Sequence, residues 1–239
     1  MKSFITTLSL AIFSLSCFAQ IIEHPPYTPD NSDFHQIFGD LAREYQQAYV
    51  DASHLRDLSI KKVNGQSKPD SSHAARVKKL NTGQSTIAIG ELSTEDGFYD
   101  RQISVSGKLD LKPKAPLAGA AANPDTRYSN AIAPDELDES ILSPTGRIDD
   151  SEFKIAYSTR QKLNEWRMTR QAEGRQLGKA KLKVTINRER CPDCRGALRQ
   201  LDEREPDLDI EIHEIADDFG AQKNVWKDKW KEFKKTSCQ

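Results

Sequence analysis

Residues 182 to 213 leave this chain little choice of fold. In Leu182-Lys183-Val184-Thr185-Ile186-Asn187, apolar and polar residues alternate, the pattern of a half-buried strand. Cys191-Pro192-Asp193-Cys194 then opens a predicted helix running to about Arg204, with Ala197, Leu198 and Leu201 on its inner face. Pro192 suits the first turn, where its missing N–H has no helical partner to lose. Glu205-Pro206-Asp207 ends the helix, and Leu208-Asp209-Ile210-Glu211-Ile212-His213 alternates again. Strand, helix and strand at this spacing form a βαβ unit, with parallel strands and a right-handed crossover. Lys183 on the first strand faces Asp209 and Glu211 on the second, favouring adjacency by roughly 0.2–1 kcal/mol per pair. Parallel sheets are covered on both faces, so the polar face that this alternation predicts requires a cover.

The C-x-x-C turn admits three readings. As a redox pair, the thiols sit over free helix N–H groups, Arg190 and Arg195 favour thiolate, and Asp193 opposes it. As a staple, a Cys191–Cys194 disulfide fixes a small, weakly apolar module. As a zinc site, Cys191, Cys194, His213 and Cys238 supply four suitable ligand types, at a spacing that matches no common pattern. By strand parity His213 belongs with Asp209 and Glu211 on the outward face, as a solvated side chain. Cys238, beside the terminus, is expected as a free thiol or as a partner for Cys194 or another chain.

The succession of strand, C-P-x-C, amphipathic helix and strand over residues 180–217 resembles the glutaredoxin-type half of the thioredoxin-like superfamily. The resemblance implies that Cys191 is the exposed nucleophile and Cys194 the thiol that resolves the mixed disulfide. That family continues with a loop ending in a cis-proline facing the cysteines, then a β-hairpin. This chain has no proline after Pro206. Either strands within residues 86–111 complete the sheet out of order, or the domain is truncated. In architecture the chain is also similar to exported C-x-x-C accessory proteins of integrating conjugative elements.

Residues 1–19 read as a signal peptide. Lys2 is the positive n-region, Phe4 to Leu15 the apolar run, and Cys17-Phe18-Ala19 the small-residue site before Gln20. Ser14-Leu15-Ser16-Cys17 also resembles a lipoprotein signal, which would lipidate Cys17 and place the protein at the outer membrane. Either route exports the chain, with the periplasm as the expected compartment, where cysteines are normally paired. Without Cys17, the three remaining cysteines are an odd number.

Hydrophobic residues make up 36% and charged residues 30%, with mean hydropathy −0.70, so long solvated stretches should surround a modest core. The formal charge of −1 becomes −2 once the +1 of Lys2 leaves, which gives no electrostatic footprint for nucleic acid. Residues 20–60 form the N-terminal region, extended to about 31 and then helical. Phe34, Ile37, Phe38, Leu41, Tyr45, Ala48, Tyr49, Ala52 and Leu55 make one stripe, capped by Asn31 or Ser32 and ending near Ile60.

Residues 61–111 are expected as a basic polar linker to 83, then a β-hairpin built on 86–90 and 103–106. Residues 112–148 form a flexible connector without periodicity. A helix spans about 149–177, with Phe153, Ala156, Tyr157, Leu163, Trp166 and Arg170 on one side. Asp149, Asp150 and Glu152 complement its dipole, and Gly178 stops it.

In the last segment Trp226, Trp230 and Phe233 share a helical face among lysines. This is either a membrane-surface or partner-docking helix, or a helix laying its aromatics on the open sheet face. Nucleophilic-elbow, zinc-protease, phosphate-loop and dinucleotide motifs are all missing. The acid pairs Asp149-Asp150 and Asp217-Asp218 read as helix-start or turn residues.

The expectation is an exported α+β protein with a thioredoxin-like module at residues 179–239, no cofactor and protein partners in the envelope. Two roles remain open. One is thiol–disulfide exchange, in the service of a conjugation or secretion apparatus. The other is a non-enzymatic envelope component whose Cys191–Cys194 disulfide only holds the module together.

Overall fold

The alternating runs assemble into one mixed five-stranded sheet of order β1-β7-β6-β4-β5, formed by β1 (Ile21–Glu23), β4 (Ile87–Thr94), β5 (Tyr99–Val105), β6 (Ala180–Ile186) and β7 (Leu208–Glu214). The structure, a computed structural model, describes residues 20–107, 149–216 and 225–237. The expected signal peptide, the expected connector at 112–148, the Asp217-Asp218 pair and Cys238 lie outside the described residues.

β6 and β7 are parallel, with Lys183 opposite Glu211 and Lys181 opposite Asp209. The charge pairing is shifted from expectation, because the ion pair of Glu211 is made by Lys181, whose Nζ lies 2.5 Å from Oε2. The β4–β5 hairpin joins the same sheet. β4 runs antiparallel to both β5 and β6, so the upstream hairpin extends the βαβ sheet out of chain order. β1 adds a parallel edge strand beside β7.

Side-chain parity sorts the core into two layers. Ala88 and Leu92 of β4, Leu182, Val184 and Ile186 of β6, and Leu208, Ile210 and Ile212 of β7 pack under α3 (Ser151–Ala172) and α4 (Pro192–Arg204). Ile87, Ile89, Ile103, Val105 and Ile215 face the other way, against α1 (Phe34–Leu58), α2 (Ser71–Asn81) and α5 (Val225–Ser237). The described residues thus form an α+β fold with five helices and a sheet covered on both faces, which resolves the expected wet face.

Of the stripe on α1, Phe34, Leu41, Tyr45, Ala48, Ala52 and Leu55 are buried, and Ile37, Phe38 and Tyr49 are partly buried against the same layer. Its cap is not the expected one: Asp33 is the N-cap residue and makes no side-chain cap bond. Asn31 Oδ1 instead accepts from the Thr28 N–H (2.6 Å) and Thr28 Oγ1 (3.0 Å), closing the preceding turn.

Residues 61–83 are not a linker throughout. β2 (Lys61–Val63) and β3 (Gln66–Lys68) form a small hairpin, and α2 follows, capped by Asp70, whose carboxylate accepts from the Ser72 N–H at 2.8 Å. Among so many lysines the burial of Val77 and Leu80 against α1 is a weak sequence signal.

α3 ends at Ala172 rather than near 177, with Gly174 in the left-handed region at φ +66° instead of Gly178 as the stop. Its first turns are buried all round, including Ser151, Glu152, Phe153, Lys154, Ile155 and Ala156. The Lys154 ammonium donates to the carbonyls of Val105 (3.0 Å) and Gly107 (2.7 Å), tying the helix to the end of β5.

The aromatics of α5 belong to the second core layer. Trp226 and Trp230 are fully buried, their rings 5.1 and 4.7 Å from that of Tyr45. Phe233 packs partly buried beside Trp230. They are the cover that the sheet requires.

Candidate functional site

Cys191 is the N-cap residue of α4, and its sulfur accepts a hydrogen bond from the Cys194 N–H at 3.3 Å. The helix turn brings the two sulfurs to 2.7 Å. Cys194 is 5% exposed and Cys191 half-buried, and both line a cleft of about 160 Å³. Besides the cysteines, the cleft is lined by Thr86 and Ser106 from the two ends of the β4–β5 hairpin, Asp150 and Glu152 from the start of α3, and Arg188 and Glu189 from the loop after β6.

Buried polar contacts fix these walls. Asn187 Oδ1 accepts from the Ile87 N–H (3.0 Å) and its Nδ2 donates to the Ser85 carbonyl (3.2 Å), locking the exit of β6 to the entry of β4. Arg188 Nη2 donates to the Gln84 carbonyl at 3.2 Å. No cis peptide bond occurs among the described residues, and the hairpin-entry residue lining the cleft is Thr86.

The charges around the sulfurs differ from the sequence expectation. Arg190 is buried with its guanidinium paired to Glu214 and, at 3.1 Å, to Glu23. Its N–H also donates to Glu214 Oε1 at 3.1 Å. Its charge is therefore committed to the strand side, and Arg195 is exposed on α4.

Acids take the place next to the thiols. Asp150 Oδ2 lies 3.4 Å from Cys194 Sγ and 4.0 Å from Cys191 Sγ. Glu152 is buried, with Ser151 Oγ donating to its Oε2 at 2.9 Å. Burial pushes the Glu152 carboxyl up from its ordinary range. The Cys194 thiol is pushed up as well, by burial first, then by Glu152, the hydrogen bond with Cys191 and Asp150.

Sequence reasoning placed Asp150 and Glu152 as helix-start acids. Asp150 is indeed the N-cap residue of α3, but it makes no cap bond and faces the thiols instead. An acid at a helix start is unremarkable in sequence; only the packing of α3 beside α4 reveals the second role.

Of the zinc set named from the sequence, Cys238 lies outside the described residues, and His213 does not join the two cysteines. His213 groups with His24 and Glu211, and the cysteines group with Asp150. His213 is not solvated either. Parity put it on the expected face, but that face is covered at the sheet edge by the N-terminal segment, with the His24 ring stacked at 4.3 Å and the Tyr27 hydroxyl 2.9 Å from Nδ1. Nothing in the sequence pairs residues 24–27 with 213.

Chemically, the cleft offers a half-buried thiol, a second, buried thiol within bonding reach of it, and the Asp150 carboxylate beside them, able to take or return a proton. Comparison of the chain with family models, with curated proteins and with solved structures finds no match.

Proposed function

We propose that this protein is a thiol–disulfide exchange factor of the cell envelope, with Cys191 as nucleophile and Cys194 as resolving thiol. The observation that carries the reading is the asymmetry of the pair: both cysteines line one cleft with their sulfurs 2.7 Å apart, and Cys191 is the more exposed of the two, Cys194 being buried.

In the reducing direction the Cys191 thiolate attacks one sulfur of a substrate disulfide, and the other sulfur leaves as a thiolate. Cys194 then gives up its proton and attacks Cys191 Sγ, releasing the second substrate thiolate. Two electrons pass to the substrate, which leaves as a dithiol, and Cys191–Cys194 is left as a disulfide. Asp150 is placed to accept the Cys194 proton.

We read the framework as a thioredoxin-like unit completed in a different chain order. The hairpin that the family appends after the βαβ unit is supplied from ahead of it, by β4 and β5 alongside β6. The family's cis-proline has no counterpart among the described residues, and Thr86 lines the cleft at the hairpin entry. The envelope location and service to a conjugation or secretion apparatus rest on the leader-like residues 1–19 and on the likeness to exported C-x-x-C accessory proteins.

A purely structural disulfide is the weaker reading. It would close one helical turn, which is worth only about 2 kcal/mol by chain entropy, and both cysteines already belong to one helix start.

Mixed-disulfide trapping tests the proposal. Cys194→Ser is expected to accumulate a covalent adduct through Cys191 with a disulfide-bonded peptide, and Cys191→Ser none. Equal adducts, or none in either variant, would refute it.

A further inference from the structure

Away from the thiols, His24, Glu211 and His213 meet at the β1–β7 edge. Glu211 Oε1 lies 2.9 Å from His24 Nε2 and 2.9 Å from His213 Nε2. One ligand atom from each residue falls within 4.8 Å of the others. We propose that these three side chains form a binding site for a divalent transition-metal ion of the zinc class, which fastens the N-terminal segment to the sheet. The proposal does not rest on the thiol chemistry.

Two imidazoles and one carboxylate are a donor set suited to zinc, nickel or copper rather than to magnesium or calcium. Two bonds of about 2.05 Å at a tetrahedral angle separate their ligand atoms by about 3.3 Å. The observed spacings of 2.9 Å therefore need to open by only a few tenths of an ångström. His24 is able to supply that movement, because it sits in the segment after β1 with a side chain 34% exposed.

The outer contacts are those a metal ligand requires. The Tyr27 hydroxyl lies 2.9 Å from His213 Nδ1 and serves either tautomer, since it donates to a bare Nδ1 or accepts from Nδ1–H. With Nδ1 protonated, the Nε2 lone pair is free for a metal, at no net cost in protons. Lys181 holds Glu211 by Oε2, leaving Oε1 to the site, and with a side chain 56% exposed the lysine can swing into water as a cation enters. The fourth coordination position falls to water.

Fastening His24 also fastens its neighbour Glu23, which pairs with Arg190 one residue ahead of Cys191. The ion would thus brace the loop that carries the thiols.

Zinc chloride titrated calorimetrically into the full chain, with Cys191–Cys194 oxidised so that thiolates do not compete, tests the site. One equivalent is expected to bind and raise the Tm, with affinity lost at least tenfold in both His24→Gln and His213→Gln. Should the buried His213→Gln lose its fold, His24→Gln carries the test. A wild-type NMR titration, in which zinc shifts the Nε2 resonances of His24 and His213 together, stands beside it. Zinc binding of equal affinity in wild type and His24→Gln, no saturable binding, or unmoved histidine resonances would overturn the proposal.

Discussion

The Asp150 carboxylate stands 3.4 Å from the Cys194 sulfur. A negative charge there opposes thiolate formation on a thiol that burial has already pushed up. In the absence of Cys191, Asp150→Asn is expected to speed alkylation of Cys194 at neutral pH by up to about tenfold, the equivalent of one pKa unit. Iodoacetamide labelling of Cys191→Ser with and without Asp150→Asn measures this. Equal rates would mean that burial alone governs the thiol.

Glu152 makes a prediction about stability and pH. Its carboxyl is raised by burial from an ordinary value of 4.5, so the folded chain keeps a proton that the unfolded chain releases. Above the ordinary range the unfolded state binds fewer protons, so this group's contribution makes stability fall as pH rises. Glu152→Gln is expected to flatten that slope in urea melts between pH 4.5 and 7.

Glu211 has the opposite sign. The hydrogen bond from Lys181 leads in holding its carboxyl down to about 2, with His24 and His213 adding to it. Between about 4.5 and 2 the unfolded chain binds the proton first, so the stabilisation present above this window is lost as pH falls through it. In metal-free buffer, acid melts of Glu211→Gln are expected to lack that loss. A slope equal to that of wild type would contradict the geometry.

Two substitutions probe the scaffold under the cleft. Asn187→Ala leaves the Ile87 N–H and the Ser85 carbonyl without their buried partner and is expected to cost about 1–3 kcal/mol. Gly90→Ala would put a Cβ 2.8 Å from Ile155 Cγ2, where β4 meets α3, and overpacking of this kind costs about 1–3 kcal/mol. Urea denaturation of each variant at pH 7 checks both; shifts under 0.5 kcal/mol would mean that the site relaxes freely.

The sequence made the βαβ unit legible because strict alternation, Pro192 and Glu205-Pro206-Asp207 fix strand, helix and break locally. It also showed the long α1 stripe and the aromatic face of α5. The sheet was harder to read, since nothing local tells β4 that its second neighbour is β6, separated by the whole 112–148 connector. The charge balance of the site failed for the same reason. Arg190 stands next to Cys191 in the chain, but β7 supplies Glu214 and β1 supplies Glu23 to take its charge. Asp150 and Glu152, some forty residues away, arrive at the sulfurs only through the packing of α3 against α4. Helix α2 was hidden by its own lysines, which surround the few apolar residues that anchor it.

The reduction potential of the Cys191–Cys194 pair, measured against glutathione or dithiothreitol together with insulin reduction, tests the central claim most directly. Acids beside a buried Cys194 disfavour the thiolate and hence the strongly oxidising end of the range, where a stabilised reduced form gives about −120 mV. The account predicts a potential between roughly −200 and −290 mV, with insulin turnover abolished by Cys191→Ser. A potential below about −300 mV with no turnover would contradict it and leave the pair as a structural disulfide.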